Sequence, residues 1–301
     1  MIEAPICVAP AGDVCGEGAV WHAEHNAVYW TDINRFLIHR FQLADLSMRT
    51  WQFDEPVTAL ILTTLPDTLV VVLGSQVILW EPATDTRHNS LFHLEGWPKV
   101  RLNDARADPR GTLWLGSMRN NVNPDGSAGE AGGQDGILLS LDSTRKSRIW
   151  RKNIGIANTL AWSPDRRHFY FGDSMANVIW VYDYDAATGA IMNDRPFLQG
   201  FTRGLPDGST MDSEGYLWNC RYYGRCIVRV APDGVIDHVI EMPVQNITTC
   251  TFGGHDLKTL YVTTARSEAP SHDRLGGSLF AIATDVAGQP ENRFILAALA
   301  E

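Results

Sequence analysis

Glu17, Asn103, Asn158 and Asp207 stand at one position of a repeated sequence unit, and each carries a side-chain oxygen. The unit is clearest at residues 205–218. There Asp207 sits in a Pro-Asp-Gly turn, a short strand runs through Met211, and a polar turn at 212–215 leads into a second strand at 216–218. Matching copies begin at Glu17, Asn103 and Asn158. Two carboxylates and two amide oxygens, with no thiolate or imidazole, form a hard-oxygen set. It suits Ca²⁺, Mg²⁺ or Mn²⁺ best and admits Zn²⁺ or Fe²⁺. Three or four protein oxygens leave coordination positions for water or substrate, the pattern of a catalytic centre. Turn formation explains any one of these residues alone. Agreement in register across four copies is what favours a cation.

Arg101 lies two residues before Asn103 and so points to the same side of an extended chain. Its guanidinium offers a fork of donors for a substrate hydroxyl or carbonyl, or else pairs with Asp104 or Asp207. Asp104 either orients Arg101 or a cation-held water, or caps its own turn.

The elements that must gather these residues are short. Two weaker copies of the unit begin at Ala59 and Thr248, making six. Each copy has a further apolar run, at 36–41, 77–80, 136–140, 177–182, 225–230 and 277–282, which reads as a third strand. Six copies in 301 residues give a period of about 50, the length of a four-stranded blade with its loops. Convincing amphipathic helices are absent. The pattern predicts a six-bladed β-propeller forming a single domain over residues 1–301, a ring that leaves little exposed sheet edge. Residues just before the first strand of each blade then meet at one rim of the central channel. Closure is expected to mix the chain ends, with 291–296 supplying one strand and 6–8 another. Trp21, Trp114, Trp162 and Trp218 are expected to pack between blades. Asp32 and Asp173 are expected to bond backbone amides between blades. The Gly- and Asn-rich stretch 120–134, between the second and third strands of blade three, reads as a mobile surface loop or a lid over the channel.

Composition narrows the classes. A net charge of −10 argues against nucleic acid as a partner. No apolar run reaches the roughly 18 residues of a membrane span. The N-terminus lacks the basic and apolar regions of a signal peptide, which points to a cytoplasmic protein. Five cysteines, an odd number without a Cys-x-x-Cys pair, read as free thiols. The nine histidines show no metal spacing. A serine-hydrolase elbow and a glycine-rich phosphate loop are both missing.

The motifs Gly16-Glu17-Gly18, Arg101-x-Asn103-Asp104, Gly116-Ser-Met118, Asn158-x-Leu160-x-Trp162-Ser-Pro-Asp165, Pro206-Asp207-Gly208 and Cys250-x-Phe-Gly-Gly254 are specific. Together they resemble the regucalcin (senescence marker protein) and gluconolactonase family, from about residue 11 to 283. The resemblance implies a propeller holding one divalent metal that opens sugar lactones to aldonic acids. It implies Glu17, Asn158 and Asp207 as metal ligands, Asp207 also as general base, Asn103 as a further ligand or a substrate contact through water, and Arg101 as a sugar contact. Asn121 stands where several relatives place a glutamate that contacts sugar hydroxyls. It is expected to bind substrate, with an altered sugar preference. The attacking water is either free or held by the cation. Two other functions share the same ring of oxygens: a calcium-binding regulatory propeller without turnover, and a metal-dependent esterase or phosphotriesterase. The single Tyr29-Trp-Thr-Asp32 echoes receptor scaffolds, which repeat it in every blade.

Overall fold

A computed structural model describes residues 2–296. The expected single domain over residues 1–301 therefore includes Met1 and residues 297–301, which lie outside the described residues. The strands form six antiparallel sheets. Their first strands are Gly16–His22, Val57–Leu62, Val100–Ala107, Ala157–Trp162, Leu205–Met211 and Asn246–Gly253. Each first strand packs against the next, and the last returns to the first, so the sheets close a ring of six blades. All six predicted third strands are present, as Leu37–Gln42, Gln76–Glu81, Gly136–Leu141, Val178–Tyr184, Cys226–Val230 and Leu279–Ala283.

The core lies between blades rather than within a central layer. One apolar cluster fills the gap between each blade and the next, for example Trp114, Leu138 and Ile154 of blade three against Leu160, Trp162 and Phe169 of blade four. The same arrangement joins blades one and two, two and three, four and five, five and six, and six and one. Inner strands are thus covered on both faces and lose the alternation of a half-buried strand. Val57–Leu62 and Leu69–Leu73 are buried along their whole length. The four expected tryptophans bridge these gaps. Trp114 meets Trp162 edge-on, Trp218 meets Phe252, and Trp21 stacks on Tyr261. Fourth strands such as Met48–Gln52 and Ser147–Ile154 are mostly exposed and carry arginines, which discourage pairing with another edge.

Ring closure corrects one expectation. Ile6–Ala9 does join the sixth blade, antiparallel to Leu279–Ala283. Residues 291–296 do not form a blade strand. Blade six already has its four strands, and the C-terminal segment instead crosses the end of the ring opposite Glu17 and Asp207. Gln289 donates to the Met211 carbonyl at 2.9 Å, Phe294 to that of Leu62 at 2.8 Å, and Ile295 to that of Gly111 at 3.0 Å. Phe294 is buried between blades two and three, and Glu291 lies 3.5 Å from Arg106. A cavity of about 20 Å³, room for one water, separates Glu291 from Asp104.

The 120–134 stretch lies between the second and third strands of blade three, as read from sequence. It is folded on itself: Val122 bridges Ala128, and Asn123 N–H donates to the Ser127 carbonyl at 2.9 Å. The Asn34 amide of blade one donates to its Gly126 carbonyl at 2.8 Å, so the segment reaches from blade three to blade one.

Candidate active site

Each ligand candidate sits at the start of an inner strand, where the ladder slips. The register shifts between Glu17 and Val20, Asn158 and Ala161, and Pro206 and Ser209. A bulge there bends the strand and re-aims the side chain before it. Asn103 lies in the equivalent slip between Leu102 and Ala105. Glu17 and Asp207, 190 positions apart in sequence, thereby face one another. Glu17 of blade one and Asp207 of blade five share a hydrogen bond, which two carboxyls can form only with a proton between them. Burial raises Glu17 from 4.5 to about 8, and Asp104 repels its charge further. Burial also lifts Asp207 well above the carboxylate range, with Glu17 adding to it.

The amides and the arginine are knitted together. Asn103 Nδ2 donates to Asn158 Oδ1 at 3.0 Å, and Asn158 Nδ2 to Ser174 Oγ at 2.9 Å. Asn158 Oδ1 thus keeps a lone pair for a cation. Asn103 Oδ1 accepts from Arg101 Nη1 at 2.6 Å, which turns that oxygen toward the guanidinium. Asn121 Oδ1 takes both Arg101 Nε and Nη2, at 3.1 and 2.9 Å. Arg101 therefore pairs with amide oxygens, and among the described residues no carboxylate lies within ion-pair distance of it. Burial lowers its pKa to about 10, against the attraction of Cys15, Glu17 and Asp207. Asp104 faces the channel rather than Arg101. Burial pushes it up to about 6, opposed by Arg106 and by the backbone amides of Ala105 and Leu160.

Asp32 and Asp173 bond backbone amides in the segments that connect one blade to the next, as expected. Asp32 takes Val14 and Cys15 N–H at 2.9 and 3.2 Å, and Asp173 takes Gly155 and Ile156 N–H at 2.9 and 3.1 Å. These segments lead directly to Glu17 and Asn158. Blade five does the same job with reversed polarity. Arg221, paired across the ladder with Pro206 as Asp32 is with Gly16, donates to the Gly204 carbonyl at 2.6 Å and to that of Arg203 at 3.1 Å.

Contacts between blades were harder to foresee. The carbonyls preceding Glu17, Asn158 and Asp207 each accept a hydrogen bond from a side chain of the preceding blade. Thr248 of blade six holds Gly16 O at 2.5 Å, Asn103 of blade three holds Ala157 O at 2.9 Å, and Ser174 of blade four holds Pro206 O at 2.6 Å. Thr248, a poor ligand by chemistry, thus has a structural task at the same repeat position. Thr248→Val keeps the shape and removes the hydroxyl, leaving a buried carbonyl with less than its due. It is expected to cost about 1–3 kcal/mol in urea unfolding.

The donor set fits a hard divalent cation in type. Two buried carboxyls from separate blades share a hydrogen bond, and ionising both would set like charges against each other. It lacks a third anionic or imidazole donor: among the described residues no group of three or more His, Cys, Asp or Glu surrounds a cation position. All five cysteines are free thiols. No helix among the described residues is long and apolar enough to cross a membrane.

Residues 15–266 match the model of the SMP-30/Gluconolactonase/LRE-like region. The chain belongs to that family. It is 31% identical over 290 residues to a pentonolactonase of Haloferax volcanii, covering 92% of this chain and 94% of the relative. It is 30% identical over 300 residues to a 6-deoxy-6-sulfogluconolactonase of Pseudomonas putida, covering 98% and 99%. A crystal structure of a calcium-binding protein, regucalcin, from Agrobacterium tumefaciens superimposes with a TM-score of 0.88 at 25% identity, over 97% of each chain. Family membership thus agrees with the resemblance read from the motifs.

Proposed function

We propose that this chain hydrolyses a sugar lactone, a hexono- or pentonolactone, to the aldonic acid with the help of one divalent cation. The hydrogen-bonded Glu17–Asp207 pair, buried at the channel rim beside Asn158, carries the reading. Relatives named as lactonases supply the substrate class, and the calcium-binding neighbour supports a cation.

Glu17, Asn158 and Asp207 would hold the cation. When bound, it would polarise the lactone carbonyl and offset the negative charge that develops on its oxygen. Asp207 accepts the proton of the attacking water, directly or through one further water. Arg101 orients the sugar hydroxyls. Its donors are set in place by Asn103 and Asn121, so those two amides act on the substrate first through the guanidinium. The Asn121 oxygen is committed to Arg101, which leaves its N–H groups for a hydroxyl. A glutamate there would only accept, so this chain selects hydroxyl geometry differently.

The test is a panel of hexono- and pentonolactones, followed by acid release. The protein is first stripped with chelator and then supplied with Ca²⁺, Mg²⁺, Mn²⁺, Zn²⁺ or Fe²⁺ in turn. Saturable ring opening that needs the cation is the expected result. Cation binding with no lactone or simple ester turned over would favour a binding protein instead.

A further inference from the structure

The backbone before each proposed ligand is held once from the preceding blade, but Asp207 is held twice. Its own carbonyl accepts from Thr159 Oγ1 of blade four at 2.5 Å and from Asn219 Nδ2 of its own blade at 3.2 Å. Among the described residues the carbonyls of Glu17 and Asn158 carry no such side-chain bond. We propose that Thr159 is a positioning residue for Asp207: its hydroxyl fixes the backbone from which the neighbouring blade's carboxylate projects. This rests on the catalytic role given to Asp207 above.

Thr159 adopts φ +56°, a left-handed conformation that crowds a β-branched residue. Gly18 occupies the same place in blade one, directly after Glu17, at φ +59° and without penalty. A chain that needed only the turn would use glycine in both blades. Strain of this kind persists where the surroundings over-determine it, and it collects at functional sites. Here the surroundings are a closed network. Thr159 is fully buried. Its hydroxyl also meets Ser209 Oγ at 2.9 Å and accepts from Asn219 Nδ2 at 3.2 Å, while Arg221 Nη1 donates to Asn219 Oδ1 at 3.2 Å. Opposite lies Gly172, where a Cβ would come within 3.0 Å of Thr159 Cβ, so the cross-strand position is kept empty for it. The ladder slips between Pro206 and Ser209, so the Asp207 carbonyl lies in the irregular stretch and gains a partner from the preceding blade.

Three variants separate the hydroxyl from the turn. Thr159→Ser keeps the hydroxyl, Thr159→Val keeps the shape, and Thr159→Gly relaxes the backbone. Misplacing a reacting group by about 1 Å costs on the order of 10²-fold, so Gly and Val are expected to lose about 10- to 100-fold in kcat with KM nearly unchanged. Ser is expected to stay within about threefold of the parent, since its donor remains. All three are checked by circular dichroism to be folded at the assay temperature. A Gly variant with parental kcat, or a Ser variant no better than Val, would overturn the proposal. If the parent protein opens no lactone, the functional reading fails by itself. Crystal structures of the parent and Thr159→Gly then decide the positioning role: a shifted Asp207 carboxyl supports it, and an unmoved one refutes it.

Discussion

Asp207→Asn is expected to lower kcat for lactone opening by about 10³-fold, within the 10²–10⁴ typical of removing a general base. The substitution keeps the size of the side chain and one oxygen, so the hydrogen bonds that hold the backbone of residue 207 survive. What it removes is charge and basicity. Glu17→Gln is expected to act differently. It weakens cation binding, so added cation should recover much of the rate. Steady-state rates at saturating cation distinguish the two. An Asp207→Asn enzyme with more than about a tenth of the parental rate under those conditions would rule out its role as base.

Removing the cation is expected to abolish turnover and to make stability depend on pH in a particular direction. Glu17 is raised from 4.5 to about 8, chiefly by burial. Below pH 4.5 it is protonated whether the chain is folded or not, and its favourable contribution is complete. As pH rises toward 8 the unfolded chain ionises while the fold still holds its proton. Stability then falls by at most about 1.4 kcal/mol per pH unit from this group. A divalent cation reverses the trend by displacing the proton, so it binds more tightly as pH rises through this window. Cation at 100-fold excess over Kd contributes about 2.7 kcal/mol, or roughly 5 °C in Tm for a chain of this size. Melting curves with and without cation are expected to diverge more at pH 8 than at pH 6. An equal gain at both values would mean that no buried carboxyl proton is displaced.

Repetition made the ring legible. A turn residue, a strand and a polar turn recurred at one spacing, and the third strands of every blade were apolar enough to read. Fourth strands were not. They lie at the outside, mostly exposed, and a run such as Ser147–Ile154 has no alternation to mark it. The C-terminal segment misled for a related reason. Phe294, Ile295 and Leu296 read as a strand because they are apolar, yet Phe294 serves to plug the gap between blades two and three. At the site, the carboxylates and amides could be found because the repeat aligns them. Ser174, Thr159 and Asn219 could not, since a serine, threonine or asparagine in a strand or the turn after it carries no signal of its own. Arg221 gave none either: it stands where blades one and four place Asp32 and Asp173, and no motif announces that opposite charges do equivalent work. By its place in the repeat Asn103 is a candidate ligand or water-mediated contact. The geometry gives its oxygen to Arg101 and its N–H groups to Ala157 and Asn158.

The central claim is that oxygens from blades one, four and five surround one divalent cation. Crystals grown from chelator-treated protein, soaked in Mn²⁺ and measured near its absorption edge, test it most directly. A single anomalous peak is expected within about 2.0–2.6 Å of Glu17, Asn158 and Asp207 oxygens, the range of hard-cation bonds. Density without a peak at that rim, or peaks only on the outer surface, would contradict it.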